Sequence, residues 1–112
     1  MTANDVEALE VQIDQARAAV NLNDDLLALQ SVPAFQRVIN KGYLEEEAIR
    51  LVRAKADPML RSPEEQAELD NAIIGIGQLV QYFRKISAIA NTMERTIKEA
   101  EKELELAHQE DV

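Results

Sequence analysis

Apolar and small residues recur with a seven-residue period through the last third of the chain. From Leu69 to Ala107 they occupy two positions of each repeat, over six consecutive repeats without a polar intrusion. This pattern predicts a long helix whose apolar seam packs against another helix. We expect the seam to be formed by eight large side chains: Leu69, Ile76, Leu79, Phe83, Ile86, Met93, Ile97 and Leu104.

A strong local signal marks the start of this helix. Ser62 can cap its first turn, Pro63 suits the first helical position, and Glu65 can complete a capping box. No proline follows, so the helix is predicted to run to about His108, roughly 65–70 Å at ~1.5 Å per residue. The sequence leaves open whether it is continuous through Gly75-Ile76-Gly77, where small residues favour a close helix approach or a local bend.

The first part of the chain also has helical periodicity. Asn4 or Asp5 can cap the start of this arm, and Asn21, Asn23 and Asp24 interrupt its apolar pattern. We therefore predict either a helix end or a kink at the interruption. The expected apolar face comprises Val6, Leu9, Ile13, Ala16, Val20 and Leu27.

The middle of the chain predicts two short helices. Ser31 is expected to cap the first, which begins at Pro33, and Gly42 is expected to end it in a left-handed conformation. The second is predicted over Tyr43–Ala56 and stops before Pro58, because a proline ring disfavours helix at the preceding residue. Its buried face is expected to comprise Leu44, Ala48, Leu51 and Val52.

The fold class that follows is all-α, in a single domain of residues 1–112. We expect an antiparallel helical hairpin or coiled coil in which the arm (1–31) folds back on the long C-terminal helix (62–108). A small head of two short helices (32–61) should cover the start of that helix. The alternative is that the seam meets its copy in another subunit. Because a chain of this length and pattern buries little core alone, we expect a homo-oligomer, either a dimer or a larger ring.

Acidic residues dominate both ends of the chain. There are 12 Lys and Arg against 21 Asp and Glu, a formal charge of −9. The arm carries −5, the middle +2 and the rest −6. A net negative charge disfavours general nucleic-acid binding. Since the arm and the long helix repel each other, added salt is predicted to strengthen helicity and association.

Other features of the sequence bear on location. No apolar run approaches the ~18 residues of a membrane-spanning helix, and acids stand near the N-terminus where a signal peptide carries basic residues. The chain has no cysteine, so disulfides and thiolate zinc sites are excluded and a reducing compartment is favoured. We therefore expect a cytoplasmic protein with no membrane partner.

Carboxylates are the commonest candidate chemistry. The string Glu64-Glu65-Gln66-Ala67-Glu68 is similar to the EExxE motif with which all-α nucleotide pyrophosphohydrolases bind magnesium, but that chemistry needs a second acidic pair on a facing helix. Glu45-Glu46-Glu47 is one candidate pair, whereas acids in a first helical turn also complement the helix dipole. His108 has no companion ligands, and no nucleophilic site or phosphate loop is recognisable. We expect no enzymatic activity, no metal and no cofactor.

A local excess of positive charge lies in the middle of the chain. It comprises Arg50, Arg53, Lys55 and Arg61. Three interpretations remain open: a small nucleic-acid site, packing against the acidic arms, and a patch that docks a partner protein. For partner docking, the expected residues are Arg50, Arg53 and Tyr82.

Three strings of the sequence resemble small acidic all-helical proteins of tailed bacteriophages, which are often encoded among virion-assembly genes. They are PAFQRVINKGYLEEEAIRLV (Pro33–Val52), ADP (Ala56–Pro58) and AIIGIGQLVQYFRKI (Ala72–Ile86). The resemblance covers about half of the chain and implies a phage origin and a structural or assembly role, without transferring site residues.

The function expected from these observations is non-enzymatic. The chain is predicted to be a helical interaction protein that self-associates and docks on a larger protein, such as a virion component, without binding nucleic acid. If a phage encodes it, the location is the host cytoplasm and the virion. The alternative is a phage-encoded inhibitor or adaptor that binds a host enzyme.

Overall fold

The computed structural model describes residues 2–110, nearly all of which are helical. The segments are α1 (Ala3–Gln30), α2 (Pro33–Phe35), the π-helix π1 (Gln36–Glu47), α3 (Ala48–Lys55) and α4 (Pro63–Glu110). Over this range there is no strand, which confirms the all-α class, with its long C-terminal helix and shorter helical head. The chain divides into two compact units, the hairpin unit (2–26 and 85–110) and the central unit (27–84).

In the hairpin unit, α1 and α4 run antiparallel. Arg17 Nη2 donates to Glu101 Oε1 at 2.9 Å, and Ser87 Oγ donates to Asn23 Oδ1 at 2.9 Å. Rising numbers on α1 thus meet falling numbers on α4. More than half of the buried residues are alanines, and small side chains at a contact reduce the distance between helix axes. The buried set is Ile13, Ala16, Leu26, Ile86, Ala90, Ala100 and Ala107.

In the central unit, the segments from α2 to α3 pack antiparallel on the first part of α4. The rings of Phe35 and Phe83 have centroids 6.2 Å apart. At the other end, the ammonium group of Lys55 pairs with the carboxylate of Asp70. The two contacts show that the head and the first part of α4 run in opposite directions. The apolar core between them is small. The buried residues described in this unit are Leu51 and Ile76.

Side-chain bonds to backbone carbonyls hold the turn between α3 and α4. Gln66 Nε2 donates to the carbonyl oxygen of Leu60 at 2.6 Å and to that of Lys55 at 3.3 Å. Arg61 Nη1 also donates to the carbonyl of Lys55, at 2.6 Å. Two of these bonds satisfy the carbonyl of Lys55, which the end of α3 leaves without a helical partner, close to where the sequence predicts that helix to end.

The arm helix does not end where the sequence suggested it could. α1 is unbroken from Ala3 to Gln30, because Asn23 is half-buried with a hydrogen-bond partner, Ser87, on the facing helix. A satisfied polar side chain costs little when it replaces an apolar contact. The expected burial of Leu27 is also wrong: Leu27 is exposed and Leu26 is buried in its place.

The cap of α1 is Thr2, not Asn4 or Asp5. Thr2 Oγ1 accepts the backbone N–H of Asp5 at 3.2 Å, and the Asp5 carboxylate accepts the backbone N–H of Thr2 at 3.0 Å. This is the reciprocal bonding of a capping box. The hydrogen bonds from Thr2 hold the pKa of Asp5 below its usual value, since they favour the ionised carboxylate.

The predicted boundary at Gly42 is wrong. Gly42 lies inside π1, which continues directly into α3, and no described residue has a positive φ. A Cβ at this position would lie 3.0 Å from the carbonyl oxygen of Arg37, so glycine permits a close approach within the helix. Phe35, Ile39 and Tyr43 recur at four-residue steps along this part of the head, and all three are half-buried. A π-helix longer than one turn is rare.

Two further predictions for the head differ from the structure. Ser31 does not cap α2, since its hydroxyl donates back to the carbonyl of Leu27 at 2.9 Å and the cap residue, Val32, offers no side-chain bond. Leu51 is buried as predicted, but Val52 is 62% exposed. Successive residues of an α-helix point about 100° apart, so one neighbour faces inward and the other outward.

The predicted start of α4 is confirmed. Ser62 Oγ accepts the backbone N–H of Glu65 at 3.1 Å, and Pro63 is the first helical residue. The helix continues through both glycines. A Cβ at Gly75 would lie 3.7 Å from the hydroxyl of Tyr43, whereas one at Gly77 would meet nothing within 4 Å.

Candidate functional site

The two arginines predicted to dock a partner lie on the outer face of α3. Arg50 and Arg53 are exposed, and with Glu46 and Ile49 they line a shallow groove of about 380 Å³. Steps of three and four residues place these side chains on one side of the helix. The groove is therefore a surface that combines positive charge with an exposed apolar side chain.

Arg50 is already engaged within its own helix turn. Its Nε donates to both carboxylate oxygens of Glu47 at 3.0 Å, and its Nη2 also donates to Glu47. These hydrogen bonds lower the pKa of Glu47 and raise that of Arg50. In the described part of the chain, Arg53 makes no ion pair or side-chain hydrogen bond, so it is the arginine of the groove whose charge is open to a partner.

Tyr82 lies away from the groove. Its ring is 6.3 Å from that of Phe83, which packs on Phe35 at the start of the head. The groove instead belongs to α3, whose last residue pairs with Asp70, twelve residues or about 18 Å before Tyr82 along α4. The structure therefore brings together two of the three predicted docking residues and sets the third at the other end of the central unit.

The eight seam residues line the inner face of α4 in both units. Ile76 is buried in the central unit and Ile86 in the hairpin unit. The other six are half-buried: Leu69, Leu79, Phe83, Met93, Ile97 and Leu104. Alanines fill most of the fully enclosed positions of the hairpin unit, so the larger seam side chains keep part of their surface in solvent.

Most of the large apolar side chains on the surface belong to the central unit. Of the thirteen that are exposed among residues 2–110, nine fall in this unit. Sequence periodicity did not identify them as a surface, because most stand at positions that are compatible with a buried face. They are Leu27, Leu29, Val32, Val38, Ile49, Val52, Met59, Ile74 and Tyr82.

One exposed line of the head is mainly basic, and we call it the head stripe. It follows steps of four residues along π1 and α3 and carries three cations, one acid and one apolar residue, all exposed. Val38 and Val52 are exposed close to it in sequence. Its members are Arg37, Lys41, Glu45, Ile49 and Arg53. Of these residues, only Arg53 was predicted to dock a partner, because the head was not expected to form one continuous helix.

One exposed line of residues along α1 combines acidic and apolar side chains, and we call it the arm stripe. Its members follow steps of three and four residues, which keeps them on one face. The line holds three carboxylates and three apolar residues, all exposed. The members are Glu7, Val11, Asp14, Ala18, Leu22 and Asp25. None of these residues belongs to the apolar face that was predicted for the arm.

The carboxylates considered for magnesium do not come together. Over residues 2–110 there is no group of three or more His, Asp or Glu side chains arranged to hold a metal ion. In the acidic string at the start of α4, Glu65 is half-buried and its neighbours Glu64 and Glu68 are exposed. Glu47 pairs with Arg50 instead. His108 is exposed in the last turns of α4.

Two further findings concern membrane-spanning segments and similarity to known proteins. None of the helices described is both long enough and apolar enough to cross a bilayer. The chain matches no protein-family model, no curated protein and no solved structure.

Proposed function

We propose that this chain is a non-enzymatic helical interaction protein that self-associates and docks on a larger protein, as a structural or assembly component of a bacteriophage particle. The observation that carries the proposal is the uneven burial of the central unit. Nine large apolar side chains are exposed there, and Leu51 and Ile76 are the buried residues described. A unit that leaves this many large apolar side chains in solvent offers a partner protein apolar surface to cover.

The exposed apolar side chains are a source of binding energy for a partner protein. Among the residues described, no large side chain is fully buried. Burying a Val, Leu or Ile side chain completely contributes about 1.5–3 kcal/mol. A partner that covers a few of the exposed side chains therefore adds stabilisation comparable to a large share of the ~5–15 kcal/mol that holds an average domain together.

The phage assignment rests on the resemblance carried by the strings Pro33–Val52 and Ala72–Ile86. Pro33–Val52 and most of Ala72–Ile86, up to Arg84, lie in the central unit, where most of the exposed large apolar side chains are found. The position of the gene distinguishes the two phage roles. A gene beside capsid and portal genes supports an assembly role, and a gene among early genes supports an inhibitor or adaptor of a host enzyme.

Size-exclusion chromatography with light scattering tests self-association directly. The expected result is a mass above the 12.6 kDa of the single chain that falls on dilution. A single-chain mass at all concentrations would contradict self-association and favour the inhibitor or adaptor role.

A pair of surface variants locates the contact. Val52→Lys places a charge on the central unit, and Leu106→Lys places one on the hairpin unit, at side chains that are 62% and 50% exposed. We expect only Val52→Lys to weaken association, with helicity by circular dichroism unchanged in both. Equal effects of the two variants would contradict a contact centred on the central unit.

A further inference from the structure

The two stripes are complementary surfaces that no part of the described chain neutralises. Residues 2–110 form three ion pairs, Arg17 with Glu101, Arg50 with Glu47 and Lys55 with Asp70. None of these residues belongs to the arm stripe or the head stripe. The charges of both stripes are therefore exposed and available to an outside partner.

Charge and length match between the stripes. The arm stripe carries three negative charges, and the head stripe carries three positive charges and one negative charge. From Glu7 to Asp25 the arm stripe spans about 27 Å, and from Arg37 to Arg53 the head stripe spans at most about 24 Å, at ~1.5 Å per helical residue. Opposite charges on surfaces of similar length favour docking in one register.

Apolar residues accompany the charges on both sides. In the arm stripe, Val11 and Leu22 are each 49% exposed. In the head stripe, Ile49 is exposed, and Val38 and Val52 are exposed close to it in sequence. A helix that places apolar anchors at intervals of three and four residues onto an apolar surface uses a common mode of helix recognition.

We propose that the arm stripe of one copy docks on the head stripe of a second copy. This inference rests on the proposed self-association and names the surfaces that carry it. A second copy is the occupant because the same chain carries both complementary faces. The contact joins two different surfaces, so it is heterologous and continues into a ring or an open chain of copies.

The salt dependence of association separates this contact from seam pairing. Two copies of α4 that pair through their apolar seams bring two acidic helices together, so salt strengthens that association. Two oppositely charged stripes attract each other, so salt weakens theirs. The wild-type mass is measured by sedimentation equilibrium at about 0.01 M and about 1 M salt, where the Debye length is about 30 Å and 3 Å. We expect larger assemblies at low salt.

Two charge-reversal variants remove one stripe each. Asp14→Lys with Asp25→Lys reverses the arm stripe, and Lys41→Glu with Arg53→Glu reverses the head stripe. Each variant alone should raise the dissociation constant by about tenfold or more at low salt, which corresponds to about 1.4 kcal/mol. Circular dichroism establishes that helicity is retained.

Mixing the two variants provides the sharpest test. Each retains the wild-type stripe that the other lacks, and the two reversed stripes are themselves opposite in charge, so the mixture should recover association with the two variants in alternation. A chain carrying all four reversals has both stripes inverted and should regain self-association. Matched controls are Glu94→Lys with Glu105→Lys and Arg84→Glu with Arg95→Glu, all at exposed positions of α4, which change charge equally off the stripes and should leave association near wild type.

The outcomes separate the two proposals. A wild-type chain that is monomeric under every condition overturns both. A wild-type oligomer that strengthens with salt, ignores the stripe reversals and is not restored by mixing overturns the stripe contact and leaves self-association standing. Loss of association in both stripe variants with recovery on mixing supports the stripe contact.

Discussion

The hairpin unit and the central unit bury apolar residues in different ways. Seven residues are buried in the described part of the hairpin unit, four of them alanines, and two in the central unit. The central unit, by contrast, exposes nine large apolar side chains against four in the hairpin unit. Two paired helices bury only the faces that they turn toward each other. The side chains on those faces therefore determine how much apolar surface remains exposed. The long helix α4 thus pairs through a largely buried surface in the hairpin unit, whereas in the central unit many large apolar side chains remain exposed.

The largest effect is expected from removing one of the two buried residues of the central unit. Leu51 is 3% exposed, and Leu51→Ala should destabilise that unit by about 2–4 kcal/mol, because a buried leucine loses its transfer energy and leaves a cavity. Hydrogen exchange should show faster exchange in residues 27–84 and little change in the hairpin. Val52→Ala is the matched control and should cost less than ~0.5 kcal/mol. Equal loss of protection in both units would contradict the expectation that Leu51 stabilises mainly the central unit.

Overpacking tests the alanine contact of the hairpin unit. Ala90 is 0% exposed, and Ala90→Leu should destabilise the protein by about 1–3 kcal/mol, because the added carbons force the helices apart. Ala88→Leu, at an exposed position on the same helix, is the control and should be close to neutral in thermal unfolding. A stable Ala90→Leu variant would mean that the helix spacing adapts easily.

The cap of α4 is expected to contribute about 1 kcal/mol. Ser62→Ala removes the oxygen that accepts the N–H of Glu65, so urea unfolding should show a lower midpoint. Ser62→Asp retains an acceptor and should remain close to wild type. If both variants lose stability equally, the hydroxyl acts through another contact.

Two glycines should respond to alanine with opposite signs. Gly77→Ala meets nothing within 4 Å and should stabilise the protein by about 0.5–1 kcal/mol through higher helix propensity. Gly42→Ala places its Cβ 3.0 Å from a backbone oxygen, so strain should outweigh this gain and lower the unfolding temperature. Stabilisation by both substitutions would argue that π1 converts readily to an ordinary α-helix.

The smallest effect is expected at the ion pair of the hairpin unit. Arg17 and Glu101 each keep half or more of the side chain in solvent, and exposed pairs contribute about 0.2–1 kcal/mol. A double-mutant cycle with Arg17→Ala and Glu101→Ala should give a coupling at the low end of that range, and salt should remove it. A large coupling at high salt would point to a contribution beyond charge.

Local signals predicted the start of α4 and the all-helical class. Ser62 and Pro63 act within one turn, and the capping bond to Glu65 requires no distant residue. The charge pattern also identified Arg50 and Arg53 as exposed cations. It did not identify the ion pair with Glu47 or the distance to Tyr82, since these depend on how the head folds.

Errors arose where a distant residue changed a local preference. Asn23 weakens a helix by its own propensity, yet Ser87, 64 positions away, satisfies it. Gly42 favours a turn in isolation, but it lies within a wide helix where a Cβ would come within 3.0 Å of the carbonyl oxygen of Arg37. Val52 was assigned to the buried face together with its neighbour Leu51, but only Leu51 faces α4.

The sequence by itself determined the long seam of α4, its beginning at Ser62 and the acidic character of both ends, because periodicity, capping and charge are local properties. Tertiary structure alone decided which large side chains remain outside and which charged residues align in the two stripes. Burial depends on the rotation of each helix against its neighbour. The surfaces proposed here for assembly are therefore consequences of packing.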